Sequence, residues 1–270
     1  MNRIEQRFRL LREQGQKGVV VYIGAGDPDL DATRRLVKAF DQAGVDVVEL
    51  GVPFSDPLAD GLVNQLAAQR GLESGTTPLK VLDTVAAIRG ECSIPIILYI
   101  YFNLIHRQGL GTFIARAARS GVDGLLVLDL PPEEADGYER LMSEAGLCPI
   151  YLVAPTTPEE RMVRIAQHAR GFIYYVSREG VTGMQSAIAE TIGERVALIR
   201  KHSTLPVAVG FGISNPDQAR AVARQADAVV VGSAVVHRIG ESGRAAGMVE
   251  SVAAFVRSIV QGVKASSPAQ

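Results

Sequence analysis

Eight short apolar, β-branched runs recur along this chain, each separated from the next by a longer stretch with helical spacing. They are Gly18–Ile23, Val45–Leu50, Ile94–Ile100, Gly124–Leu128, Cys148–Val153, Gly171–Val176, Leu205–Val209 and Ala226–Val231. Segments such as Asp31–Ala43 and Leu110–Ser120 lie between them. Strand–helix alternation without hairpin signals implies an all-parallel sheet, and eight is the number that closes a (β/α)8 barrel. The expected fold is therefore α/β, a (β/α)8 TIM barrel with an extra N-terminal helix over Met1–Gln14 covering its bottom. One domain is expected over 1–264, with a frayed tail at 265–270. An open doubly wound sheet would carry a G-x-G-x-x-G turn after the first strand. Here Ile23-Gly-Ala-Gly-Asp-Pro28 lacks the third glycine and the helix start, which argues against dinucleotide binding.

A chain of 270 residues is long for one domain but ordinary for an α/β barrel. A net charge of −1 and the absence of a Lys/Arg block argue against nucleic acid. The N-terminal arginines Arg3, Arg7, Arg9 and Arg12 are interleaved with Glu5 and Glu13 and read as a solvated helix face. No apolar run reaches the roughly 18–20 residues of a membrane span, and no signal-peptide core is visible. A cytoplasmic protein with no membrane partner is expected. Cys92 and Cys148 have no C-x-x-C spacing, and the four histidines form no pair or cluster, so no metal site is expected.

The second run ends in an acid, Glu49, followed by Leu-Gly-Val-Pro-Phe-Ser-Asp-Pro-Leu-Ala-Asp60. A buried parallel strand is apolar on both faces, so a carboxylate at its C-terminal end needs a reason. That end is where catalytic groups of such barrels sit, and two carboxyl groups in different environments divide into proton donor and acceptor. Two readings fit Glu49: a salt-bridged core acid beside an ordinary turn, or one half of a catalytic pair with Asp60.

After the seventh run comes Val209-Gly-Phe-Gly-Ile-Ser-Asn-Pro216, and after the eighth Val231-Gly-Ser-Ala-Val235. In each, glycine precedes a hydroxyl or amide residue that opens a helix. Backbone N–H groups at such helix starts bind anions, and these two loops form the usual phosphate site of this barrel. The plainer reading is that glycines simply close strand–helix turns. Ser177-Arg-Glu-Gly-Val-Thr-Gly183 after the sixth run is long and glycine-bounded, which suits a lid or a surface turn.

Taken together, Val48–Gly61, Asp123–Glu134, Leu152–Thr157, Gly171–Gly183, Val209–Ile213 and Asp227–Ser233 resemble the tryptophan synthase alpha subunit family. The resemblance implies a lyase performing the retro-aldol cleavage of indole-3-glycerol phosphate to indole and glyceraldehyde 3-phosphate, in tryptophan biosynthesis. It implies catalytic roles for Glu49, which exchanges protons, and Asp60, which holds the indole N–H. It places Tyr22, Tyr174, Thr182, Gly183, Gly210, Phe211, Gly212, Gly232 and Ser233 around the substrate, the last two and Gly212 facing the phosphate. Pro53, Asp56 and Pro57 are implied to contact a β subunit in an α2β2 tetramer. No cofactor is implied in this chain; pyridoxal phosphate belongs to the β partner.

Departures from the family pattern are Gly24 for a usual threonine, Leu62 for proline, Asn64 for an aliphatic residue, Leu104 for proline and Leu128 for proline. They fall on the indole pocket and on the coupling to a partner. Two alternatives stand beside this reading: a free-standing lyase that releases indole without a partner and, motivated by these departures, a weakly active or silent barrel that serves as an allosteric partner of β.

Overall fold

The computed structural model describes residues 1–177, 185–210 and 212–266, the side chains of 185–190 excepted. The expected barrel is present. Its strands are β1 (Gly18–Gly24), β2 (Val47–Gly51), β3 (Ile96–Ile100), β4 (Gly124–Val127), β5 (Cys148–Val153), β6 (Ile173–Val176), β7 (Val207–Gly210) and β8 (Ala228–Val231). All pair in parallel in chain order, and β1 closes the ring on β8. Five strands begin two residues later than their apolar runs. In two of these the lead-in ends in Pro95 or Pro206, which have no N–H to give the ladder.

Helix α1 (Arg3–Glu13) precedes the barrel and α2 (Leu30–Ala43) follows β1. After β2 come α3 (Leu62–Glu73) and α4 (Pro78–Arg89), and after β3 come α5 (Phe102–His106) and α6 (Leu110–Ser120). Then α7 (Asp136–Glu144), α8 (Glu159–His168), α9 (Gln185–His202) and α10 (Pro216–Ala223) follow one strand each, and α11 (Ser233–Ser242) and α12 (Met248–Lys264) follow β8.

The period of two along each strand divides the core in two. Val19, Val21, Ile23, Val48 and Leu50 point outward and join the helices in one large apolar cluster. Val20, Val47, Ile97, Leu126, Ile150 and Phe172 point inward and meet Ile4, Phe8 and Leu11 of α1. Those three residues share one helical face, so α1 seals the bottom of the barrel, with the Phe8 and Phe172 rings 5.5 Å apart. Asn2 starts α1 with a capping box to Glu5, and its amide also donates to the Asp123 and Gly146 carbonyls at 2.8 and 2.9 Å.

The bottom rim repeats one device three times. Asp46, Asp123 and Asp227 each precede a strand and accept the first free N–H of the strand before it: Val19 at 2.7 Å, Ile96 at 2.8 Å and Val207 at 2.9 Å. Each is also paired with cations, Asp46 with Arg7 and Lys264, Asp123 with Arg3 and Arg89, and Asp227 with Arg200. Asp46 and Asp123 are buried and Asp227 is half-buried; carboxylates satisfied in this way fix the lower register. The top rim is left free for chemistry.

Candidate active site

At the upper end of the barrel the inward positions change character, from aliphatic to polar. In register across β1 and β2 stand Tyr22 and Glu49, and Gly51 stands beside Tyr99 of β3. Two glycines make room for phenols. A Cβ on Gly51 would overlap the Tyr22 hydroxyl, and one on Gly210 would lie 2.9 Å from that of Tyr174. The strand-end glycines thus set where the tyrosines point.

Glu49 is fully buried, and neither carboxyl oxygen has a hydrogen-bond partner among the described residues. The salt-bridged reading of this acid finds no support there. Burial, with a smaller contribution from the negative charge of Asp60, pushes its pKa up to about 8. At neutral pH Glu49 therefore holds its proton.

Asp60 has the opposite environment. The Tyr99 hydroxyl donates to Oδ1 at 2.8 Å and the Tyr101 hydroxyl to Oδ2 at 2.7 Å, while the Tyr101 oxygen accepts from the Ala59 N–H at 2.9 Å. Burial pushes the ionisation of Tyr99 and Tyr101 well above the ordinary phenol range, so both remain donors. Tyr22 packs edge-on against Tyr99, with ring centres 5.1 Å apart. The result is one buried carboxyl kept protonated and, in a cavity lined also by Gly24, Pro53 and Asn64, one carboxyl group kept oriented.

The anion end lies across the mouth. Asn215 caps α10, its side chain accepting from the Gln218 N–H at 3.0 Å, and the Gln218 side chain accepts from the Ser214 N–H. That helix end is satisfied by its own residues. By contrast α11 starts at Ser233 behind Gly232 with no side-chain cap. Val235 and Val236 donate to the Gly232 carbonyl, and the start of the helix, at the C-terminal end of β8, carries the positive end of a helix dipole. Gly212, exposed with φ 61°, and Gly210 complete this edge.

Of the residues expected from the sequence, the structure brings Glu49, Asp60, Tyr22, Tyr174, Gly210, Gly212, Gly232 and Ser233 to the same barrel end. Thr182, Gly183 and Phe211 lie outside the described residues. Asp56 is exposed and Pro57 half-buried, whereas Pro53 is buried near Gly71 of α3. Beside them Leu58 is 94% exposed and Leu62 70%, an apolar face on the loop and the start of α3. Tyr99 and Tyr101 are functional neighbours that the sequence reading missed. No described group of three or more His, Cys, Asp or Glu residues could hold a metal ion.

A family model described as tryptophan synthase alpha chain matches residues 8–264. The tryptophan synthase alpha chain of Opitutus terrae is 51% identical over 265 residues, which cover 98% of this chain and 100% of that protein. That of Geobacter sulfurreducens is 48% identical, covering 97% and 99% of the two chains. Among solved structures, tryptophan synthase subunit alpha from Legionella pneumophila superposes with a TM-score of 0.90 at 39% identity, covering 97% of this chain and 98% of that one.

Proposed function

Because the chain belongs to the tryptophan synthase alpha chain family, we propose that Glu49 and Asp60 carry out the carbon–carbon cleavage that defines its activity. The chain is a lyase of tryptophan biosynthesis that cleaves indole-3-glycerol phosphate. The observation that carries the assignment of roles is the contrast between a buried, unpartnered Glu49 and an Asp60 held by two phenols.

A bond from carbon to an aromatic ring breaks easily only after that ring carbon is protonated. Glu49, protonated at neutral pH, gives its proton to C3 of the indole. Positive charge then develops at the ring nitrogen, whose N–H faces the Asp60 carboxylate, fixed in place before the reaction begins. The Glu49 carboxylate next takes the proton of the side-chain hydroxyl on the carbon attached to C3. The bond between them breaks, its electron pair restores the aromatic ring, and the hydroxyl carbon becomes the aldehyde of glyceraldehyde 3-phosphate. Glu49 ends protonated, so protons and electrons balance with no cofactor in this chain.

The phosphate is assigned to the uncapped start of α11, with Gly232 and Ser233, and to Gly212. Tyr22, Tyr174 and Gly210 shape the space between, and Thr182, Gly183 and Phe211 are assigned to the substrate on the family resemblance alone. The family implies a β-subunit partner. The exposed Leu58 and Leu62 beside Asp56 and Pro57 support docking on that face, as an α2β2 tetramer. No described helix is long and apolar enough to cross a membrane, and we place the protein in the cytoplasm.

Indole release from indole-3-glycerol phosphate, measured with and without a tryptophan synthase β subunit, tests this reading. Cleavage that rises on adding β supports it. Equal rates in both conditions favour a free-standing lyase, and no cleavage in either contradicts the assignment of catalytic roles.

A further inference from the structure

Four residues of α3 face the barrel mouth at helical spacing: Asn64, Ala67, Ala68 and Gly71. Two of them, Ala67 and Gly71, are small for a packing reason. A Cβ on Gly71 would stand 2.8 Å from the Ala25 carbonyl oxygen, and one on Gly24 would stand 3.2 Å from the Ala67 Cβ. The bidentate pair between Arg70 and the buried Asp27, both bonds 2.8 Å, holds the helix at this distance. Close approach of α3 brings Asn64 over the cavity that Asp60 and Tyr99 also line.

Asn64 has no such packing reason. Its Oδ1 is buried and has no hydrogen-bond partner among the described residues. The Tyr99 and Tyr101 hydroxyls in the same cavity donate to Asp60 instead. Buried acceptors are rarely left unpaired in native proteins, because water or a ligand supplies the donor. An aliphatic side chain at this position would need neither.

We propose that Asn64 is a specificity-determining residue that receives a hydrogen-bond donor on the carbocyclic ring of the substrate. The site would then take ring-hydroxylated indole-glycerol phosphates as well as the unsubstituted compound. This rests on the indole ring lying beside Asp60, as the proposed function requires. The cavity lined by Asn64 encloses about 10 Å³, the room of one water. Without a ligand a water satisfies the amide, and a ring hydroxyl that displaces this water reproduces its hydrogen bond. Recognition of a hydroxyl by a buried polar partner discriminates more strongly than an apolar wall does.

The test uses the condensation direction, with glyceraldehyde 3-phosphate and either indole or each of 4-, 5-, 6- and 7-hydroxyindole. The quantity read is kcat/KM for each hydroxyindole relative to indole, in the wild type, Asn64→Leu and Asn64→Ala. At least one hydroxyindole is expected to lose tenfold or more relative to indole in both variants. Ratios that stay within twofold for all four isomers would overturn the proposal while leaving the proposed function intact. A wild type that does not turn over indole contradicts the proposed function itself, and this inference with it. Reading both variants guards against a folding defect in either, because the ratio is internal to one enzyme preparation.

Discussion

The Tyr99 hydroxyl donates to Asp60 Oδ1 across 2.8 Å, tying the end of β3 to the loop that follows β2. Asp60 sits in an irregular segment with no ladder hydrogen bonds of its own, so its direction is set by this contact and the matching one from Tyr101. A carboxylate aimed before the reaction needs no reorganisation when charge appears at the ring nitrogen.

Removing those donors should act on the transition state more than on binding. Tyr99→Phe and Tyr101→Phe are each expected to lower kcat for indole release by roughly 10–150-fold with a smaller change in KM, the size of one lost hydrogen bond to a charged group. The double variant should lose more than either. Steady-state kinetics check this; a rise in KM alone would mean the phenols only shape the pocket.

The proton on Glu49 sets a pH limit. A general acid with a pKa of about 8 is lost as pH rises through that value, so kcat/KM should fall on the alkaline side with an apparent pKa near 8. A profile flat from pH 6 to 9.5 would contradict the assignment.

The same proton links stability to pH. The pKa of Glu49 is raised on folding, so between the ordinary carboxyl range and about 8 the folded state binds a proton that the unfolded chain does not. This contribution is fully present below the unfolded pKa and is lost as pH rises through the folded one. Glu49→Gln, which never ionises, should therefore gain stability over wild type, and melt higher, progressively between pH 5 and pH 8.5, by on the order of a few kcal/mol at the upper end. Parallel melting curves of the two proteins at those pH values are the check.

Much of this arrangement was legible before any coordinates. The eight apolar runs predicted the barrel, because strand burial on two faces leaves a pattern that no loop imitates. Glu49 stood out for the same reason, an acid where the pattern demands an apolar residue. Tyr99 and Tyr101 did not stand out, since an aromatic at a strand end reads as core. Parity could have pointed to Tyr99, which shares the inward face of Ile97 and pairs in register with Gly51. Register is a tertiary fact, however, and the strand sequence alone does not carry it. The resemblance did place the Asn64 amide at the indole pocket, and the structure finds its Oδ1 buried there without a partner; the small residues of α3 pressing against Gly24 and Ala25 are again a tertiary fact.

The start of α11 gives a prediction with two signs. An aspartate at 233 would supply the negative charge that the uncapped helix end lacks, favouring the helix by about 0.3–1 kcal/mol. It would also place that charge where the phosphate is assigned. Ser233→Asp is expected to hold or raise the melting temperature while raising KM for indole-3-glycerol phosphate tenfold or more. An unchanged KM would move the phosphate elsewhere.

At the opposite end, Asp46 is fully buried between Arg7, Lys264 and the Val19 N–H. Asp46→Ala leaves two cations and a backbone donor without their partner, and a loss of about 3–5 kcal/mol is expected in denaturant unfolding. The site is at the other barrel end, so kcat of the folded fraction should stay within a few-fold of wild type.

The most direct test of the central claim is indole release from indole-3-glycerol phosphate by Glu49→Gln under conditions where the wild type turns over. Glutamine keeps the size of the side chain and can neither give nor take the proton. The account predicts a loss of at least a hundredfold to ten-thousandfold in kcat, with the fold retained and the melting temperature unchanged or raised at pH 8. Glu49→Gln activity within tenfold of wild type would contradict it.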